Sequence, residues 1–148
     1  SMGMRKVLIV KEEDSGNMPP DADIAINISS INGISFTGDL TQGKKVFSVT
    51  YEDQIVHENF VGHDVNLVLF ENEVVSDALE TWMNWTVPKG LMSATLPKGI
   101  TFLGGTNDAP AGSILYFEAV LEAGDYAFIA EVPNAAEKNM FKKFSVSE

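Results

Sequence analysis

The chain contains no cysteine. That one absence excludes disulfides, thiolate metal centres and thiol nucleophiles together, because each needs a sulfur that can be ionised or oxidised. Cationic residues are scarce: ten Lys and Arg stand against 21 Asp and Glu, a formal net charge of −11 over 148 residues. Such a chain repels nucleic acid phosphates and anionic membrane surfaces, so no nucleic acid partner is expected. No apolar run approaches the roughly 18 residues of a membrane span, so no transmembrane segment is expected. Val7-Leu8-Ile9-Val10 is too short, and too soon followed by acids, to be a signal-peptide core. Ser1-Met2-Gly3 reads as an expression scar, which leaves 4–148 as a single domain of ordinary size. A chain of this length buries roughly two thirds of its unfolded surface and needs no covalent staples.

What the chain does have is period-two patterning. In 114–121, Leu115, Phe117, Ala119 and Leu121 alternate with Ile114, Tyr116, Glu118 and Val120, the signature of a strand with one buried face. Glu122-Ala123-Gly124-Asp125 follows as a turn, then a second strand is expected over 126–132, closed by Pro133. Leu121-x-x-Gly124-x-Tyr126 fits a tyrosine corner, in which a Tyr hydroxyl bonds back to backbone a few residues upstream. A plain hairpin with a core tyrosine fits it too.

Further strands are expected over 5–11, 23–31, 34–37, 44–51, 63–70, 101–103 and 141–146, with Asn32-Gly33 as the sharpest turn signal. Apolar residues occupy both faces of 44–51, which marks it as a central strand. The period changes once. Val75, Ala78, Leu79, Trp82, Met83 and Trp85 follow helical spacing, which predicts one short helix at about 76–85, and Asp77 with Glu80 resembles a capping box. Eight or so short strands with regular turns and one inserted helix predict an all-β fold, a Greek-key β-sandwich of about 7–8 strands.

Several segments together carry a family resemblance. They are Pro20-Asp21, Gly43-Lys44-Lys45-Val46-Phe47, Gly62-His63-Asp64-Val65, the helix reaching Trp82, Gly104-Gly105, the corner, Val132-Pro133, and Asn139-Met140 before the last strand. In that order they resemble the cupredoxin-like domains of bacterial exported proteins, sandwiches related to blue-copper electron carriers. The resemblance spans the chain from Arg5 and implies a periplasmic or extracellular location. It also implies where copper ligands would fall: a mid-chain His on His63, with His57 as competitor; the thiolate on Ala130; a second His between Pro133 and Met140, where none occurs; and the Met on Met140. Blue copper needs its thiolate. A chain without cysteine cannot form that centre, so no cofactor is expected from this route.

Two other chemistries stay open. His63, His57 and Met140 form a reduced donor set suited to Cu(I), a soft ion, against the plainer reading of a leftover polar His63 and a solvated His57. Trp85 and Trp82 offer an aromatic surface for a protein or a glycan, against the plainer reading that Trp82 plugs one end of the sandwich. Catalysis is not expected. No nucleophile elbow occurs, Gly104-Gly105-Thr106-Asn107-Asp108 lacks the lysine of a phosphate loop, and the acids over 12–14 lack calcium-loop spacing. The expectation is a non-catalytic binding or interaction module, with copper handling as the alternative.

Overall fold

The computed structural model describes residues 16–58, 61–71, 76–84 and 95–147. Eight strands and one helix follow one another: β1 (Ile24–Ser29), β2 (Gly33–Gly38), β3 (Gly43–Tyr51), β4 (Val65–Phe70), α1 (Ser76–Met83), β5 (Ile100–Thr106), β6 (Ile114–Leu121), β7 (Gly124–Ile129) and β8 (Phe141–Val146). The strand expected over 5–11 lies outside the described residues, as does Trp85.

Two four-stranded sheets form, in the orders β2-β1-β3-β6 and β5-β4-β7-β8. β1 pairs antiparallel with β2 and parallel with β3, and β6 pairs antiparallel with β3. The second sheet is antiparallel throughout. β3 lies inside its sheet, as its two-sided apolar pattern requires. The sheets face each other through alternate residues. Ile24, Ile26, Ile28, Phe47 and Val49 from one sheet, and Leu67, Tyr126 and Phe128 from the other, are all at or near zero exposure. Aromatic rings bind the layers: Phe128 meets Phe36 at 5.3 Å and Phe47 at 6.0 Å, both edge-on, while Phe47 stacks on its cross-strand neighbour Phe117 at 4.6 Å. Burying each such ring contributes about 1.5–3 kcal/mol, with a further increment from the edge-on geometry.

The corner forms as the sequence suggests. The Tyr126 hydroxyl accepts from the Glu122 N–H and donates to the Glu122 carbonyl, both at 2.9 Å. The turn at Asn32-Gly33 also forms, and Gly33 takes φ 71°. A Cβ there would lie 2.3 Å from the Asn139 carbonyl oxygen, so glycine is needed both for its backbone and for its lack of bulk.

Four boundaries differ from expectation. β4 starts at Val65 rather than at residue 63, because the His63 N–H is taken by the Gln54 side chain at 2.8 Å. β7 ends at Ile129, because the Ala130 N–H goes to the Met140 carbonyl and the Glu131 N–H to the Asp64 carboxylate. β5 runs on through Gly104 and Gly105, since its pairing with β4 outweighs the weak strand preference of glycine. The helix opens at Ser76, which puts Asp77 inside it rather than at its cap. Glu80 therefore closes no capping box; its carboxylate accepts the Ala136 N–H at 2.8 Å and ties the helix to the loop before β8.

Candidate functional site: a histidine pair at one end of the sandwich

The site lies where β3, β5 and β7 end and β4, β6 and β8 begin. Tyr51 is the last residue of β3, and its hydroxyl donates to the Asn107 carbonyl at 2.6 Å and pairs with Thr106 at 2.7 Å. Burial pushes the Tyr51 phenol up to about 12. The chain then loops out through Asp53 and His57 and returns at His63. Gln54 fixes the return, accepting from the His63 N–H and donating to the carbonyls of His63 and Ala109.

The two histidines meet inside this loop. His57 Nε2 lies 3.1 Å from His63 Nδ1. His63 is fully buried and its ring stacks on Tyr51, while His57 is nearly buried. The tautomers follow from the partners. His63 Nε2 is 3.0 Å from the Asp53 carbonyl, and a carbonyl only accepts, so Nε2 carries the proton and Nδ1 is bare. His57 Nε2–H therefore donates into that bare Nδ1. Burial, then the adjoining His63 ring and the Lys138 ammonium, hold the His57 imidazole below the usual histidine range.

Neighbouring groups lock the arrangement. The Asp53 carboxylate accepts from the Ser30 N–H at 2.7 Å and the Ser30 hydroxyl at 2.5 Å, and these bonds hold its pKa down. Asp53 Oδ1 also stands 3.6 Å from His63 Nε2. Lys138, in the loop before β8, pairs with Glu58 at 3.3 Å and donates to the Pro133 carbonyl. That lysine pins the last loop against the His57 loop.

Met140 is buried and its carbonyl accepts the Ala130 N–H at 3.0 Å, so the positions implied for a thiolate and a thioether lie side by side at this same end. The thiolate position holds a methyl group. Among the described residues, no three His, Cys, Asp or Glu side chains converge so as to hold a metal ion. The donor chemistry does not fit a blue-copper centre: the thiolate is missing, and the free lone pair of His63 is engaged by His57.

Beside the pair is a cleft of about 260 Å3 lined by Val61, Gly62, Asp64, Asn107, Asp108 and Glu131. Burial raises the Asp64 carboxyl above its usual range, against the opposing pull of hydrogen bonds from Glu131 N–H and Asn66. Burial and Asp64 raise Glu131. No spacing in the sequence announced this cleft, since its acids come from three separate connections. The Trp82 ring, by contrast, lies on the outer side of the second sheet, half-buried and 6.0 Å from the Phe102 ring.

No family model matches the chain, and no curated protein matches it. Solved structures do. An auracyanin of the photosynthetic bacterium Roseiflexus castenholzii, crystallised in its Na-dithionite-reduced form, aligns with a TM-score of 0.51 at 12% identity, over 84% of this chain and 95% of that one. Auracyanin B aligns with a TM-score of 0.50 at 13% identity, over 89% and 93%. At such identities the likeness speaks for the fold alone: the chain is a cupredoxin-like β-sandwich.

Proposed function

We propose that this chain is a non-catalytic binding or interaction module, a cupredoxin-like sandwich without a type 1 copper centre. The observation that carries the reading is the 3.1 Å contact between His57 Nε2 and His63 Nδ1, at an end where Ala130 takes the thiolate position. A hydrogen-bonded pair there closes the single loop between β3 and β4 on itself and satisfies a buried ring nitrogen. The partner is a protein or a glycan, met in the periplasm or outside the cell; that location follows from the family resemblance. The absence of catalysis rests on the sequence, which offers no nucleophile elbow.

A second reading is copper handling, and one distance favours it. Two ring nitrogens converging at 3.1 Å are spaced as neighbouring ligands of one ion at about 2.0–2.1 Å each, and Met140 supplies soft sulfur at the same end of the fold. His57 and His63 would then hold Cu(I) through these two nitrogens, with the His57 proton moved to its Nδ1.

Thermal shift with Cu(I), Cu(II), Zn(II) and buffer side by side separates the readings. Ligand binding stabilises by about 2.7 kcal/mol at a hundredfold excess over the dissociation constant. The module reading expects equal melting temperatures throughout. A copper-specific rise that His63→Ala removes would replace it with copper handling.

A further inference from the structure

His63 has a single ring lone pair to offer. Its Nε2 is committed to the Asp53 carbonyl at 3.0 Å, which leaves Nδ1 as the bare nitrogen. The residue is at 0% exposure, so nothing reaches Nδ1 from solvent without displacing a neighbour. The neighbour in place is His57. Its Nε2 stands 3.1 Å from Nδ1, and the two rings meet edge-on at 65°, with centroids 5.4 Å apart. A charged group closes the same end. Lys138 lies in the interval between Pro133 and Met140 where the family resemblance implies a ligand histidine. Its ammonium donates to the Pro133 carbonyl and to the carboxylate of Glu58, the residue after His57, and its side chain is only 23% exposed.

We infer that this end is a self-occupied site: the His57 imidazole fills, on His63 Nδ1, the position that an external ligand would take, and the Lys138 ammonium stands beside it as a built-in cation. The inference rests on the module reading and adds what occupies the site. An N–H donated to a buried lone pair satisfies it without any outside group. The ligand class that fits the position is therefore that of His57 itself, a planar ring with one N–H to donate. A competitor for Nδ1, whether a ring or a metal ion, binds only in those molecules whose His57 has left, and its apparent affinity falls by that fraction. A metal ion meets a second obstacle. It brings positive charge toward an ammonium, and the carboxylate nearest the pair in the chain, Glu58, is already engaged by that ammonium. Removing the His57 ring should uncover a site that the parent chain does not show.

His57→Gly tests this, with free imidazole as the probe and pH held constant. The melting temperature of the variant should rise with millimolar imidazole, by mass action on the folded state, while that of the parent stays level over the same range. 1-Methylimidazole should leave both unmoved, because it keeps the ring and has no N–H to donate to Nδ1. A variant indifferent to imidazole, or one that responds equally to 1-methylimidazole, overturns the inference and leaves the module reading standing. A parent chain whose melting temperature rises with copper overturns both. Should the glycine variant fail to fold, the long-range proton–nitrogen NMR spectrum of the parent decides. The inference expects His63 bare at Nδ1 and protonated at Nε2, with His57 protonated at Nε2; the reverse tautomers overturn it.

Discussion

Among the described residues the two sheets have the same number of strands and share one core, yet their outer faces are built on opposite terms. On the second sheet, Val68, Ala127 and Ile129 lie on the side away from the first sheet and are nonetheless fully buried. Trp82 of α1 stands against Phe102 there, and Leu79 and Met83 of the same helix are buried with it. That sheet is covered from within the chain. On the first sheet the outward positions are mostly Ser, Thr, Asn and Ala, with Val46, the Lys44–Glu118 pair and a row of exposed apolar residues along β6. Alternation sets inside against outside for a strand, but it does not say whether outside means solvent. The residue types do: an apolar outer face asks for a cover, and a hydroxylated one does not.

The comparison can be broken most severely at Ala127. Ala127→Glu places an unpaired carboxylate at a fully buried position on the outer side of the second sheet and should cost on the order of 3 kcal/mol or more, read as a loss of denaturation midpoint. Next comes the stitch between the sheets at Gly33. Gly33→Ala meets the Asn139 carbonyl and a positive φ together, and should cost about 2–4 kcal/mol by the same measurement. Tyr126→Phe removes both bonds to Glu122 and should cost about 1–2 kcal/mol.

A smaller effect is expected from pH. The folded His57 holds a proton less readily than the unfolded chain does, so its neutral form is favoured by folding. That contribution is intact above the unfolded pKa of about 6.5 and is lost as pH falls through it, because the unfolded state takes up the proton first. The His57 contribution should therefore lower melting temperatures from pH 8 toward pH 5.5, read as the difference between the parent chain and His57→Gln, while the raised carboxyls of Asp64 and Glu131 act with the opposite sign in both. Smallest of all is Thr37→Glu, on the bare face: a change within about 0.5 kcal/mol sharpens the contrast with Ala127→Glu, and a large loss would mean that the first sheet is covered as well.

The sandwich was legible because its code is local. Period two in 114–121 and 44–51, the corner spacing from Leu121 to Tyr126 and the turn at Asn32-Gly33 each depend on residues close in the chain, and each appears in the fold. The boundaries that moved did so through distant partners. Asp64 takes the N–H of Glu131, 67 residues away, and ends β7; Glu80 takes that of Ala136, 56 residues away, and leaves the helix without its box. The candidate site divides in the same way. The missing thiolate is a fact of composition and needs no structure.

What the sequence determined by itself, then, was a strand-rich chain with an acidic surface and no means of making blue copper. Only the tertiary structure decided that His57 Nε2 meets His63 Nδ1, that Asp64, Asp108 and Glu131 share a cleft, and that the outer side of one sheet is buried while that of the other is exposed along β6 among the described residues. The reason is geometric. Hydrogen bonds and shared desolvation act over a few ångströms in space, between residues six to more than sixty apart in the chain, and no periodicity records them.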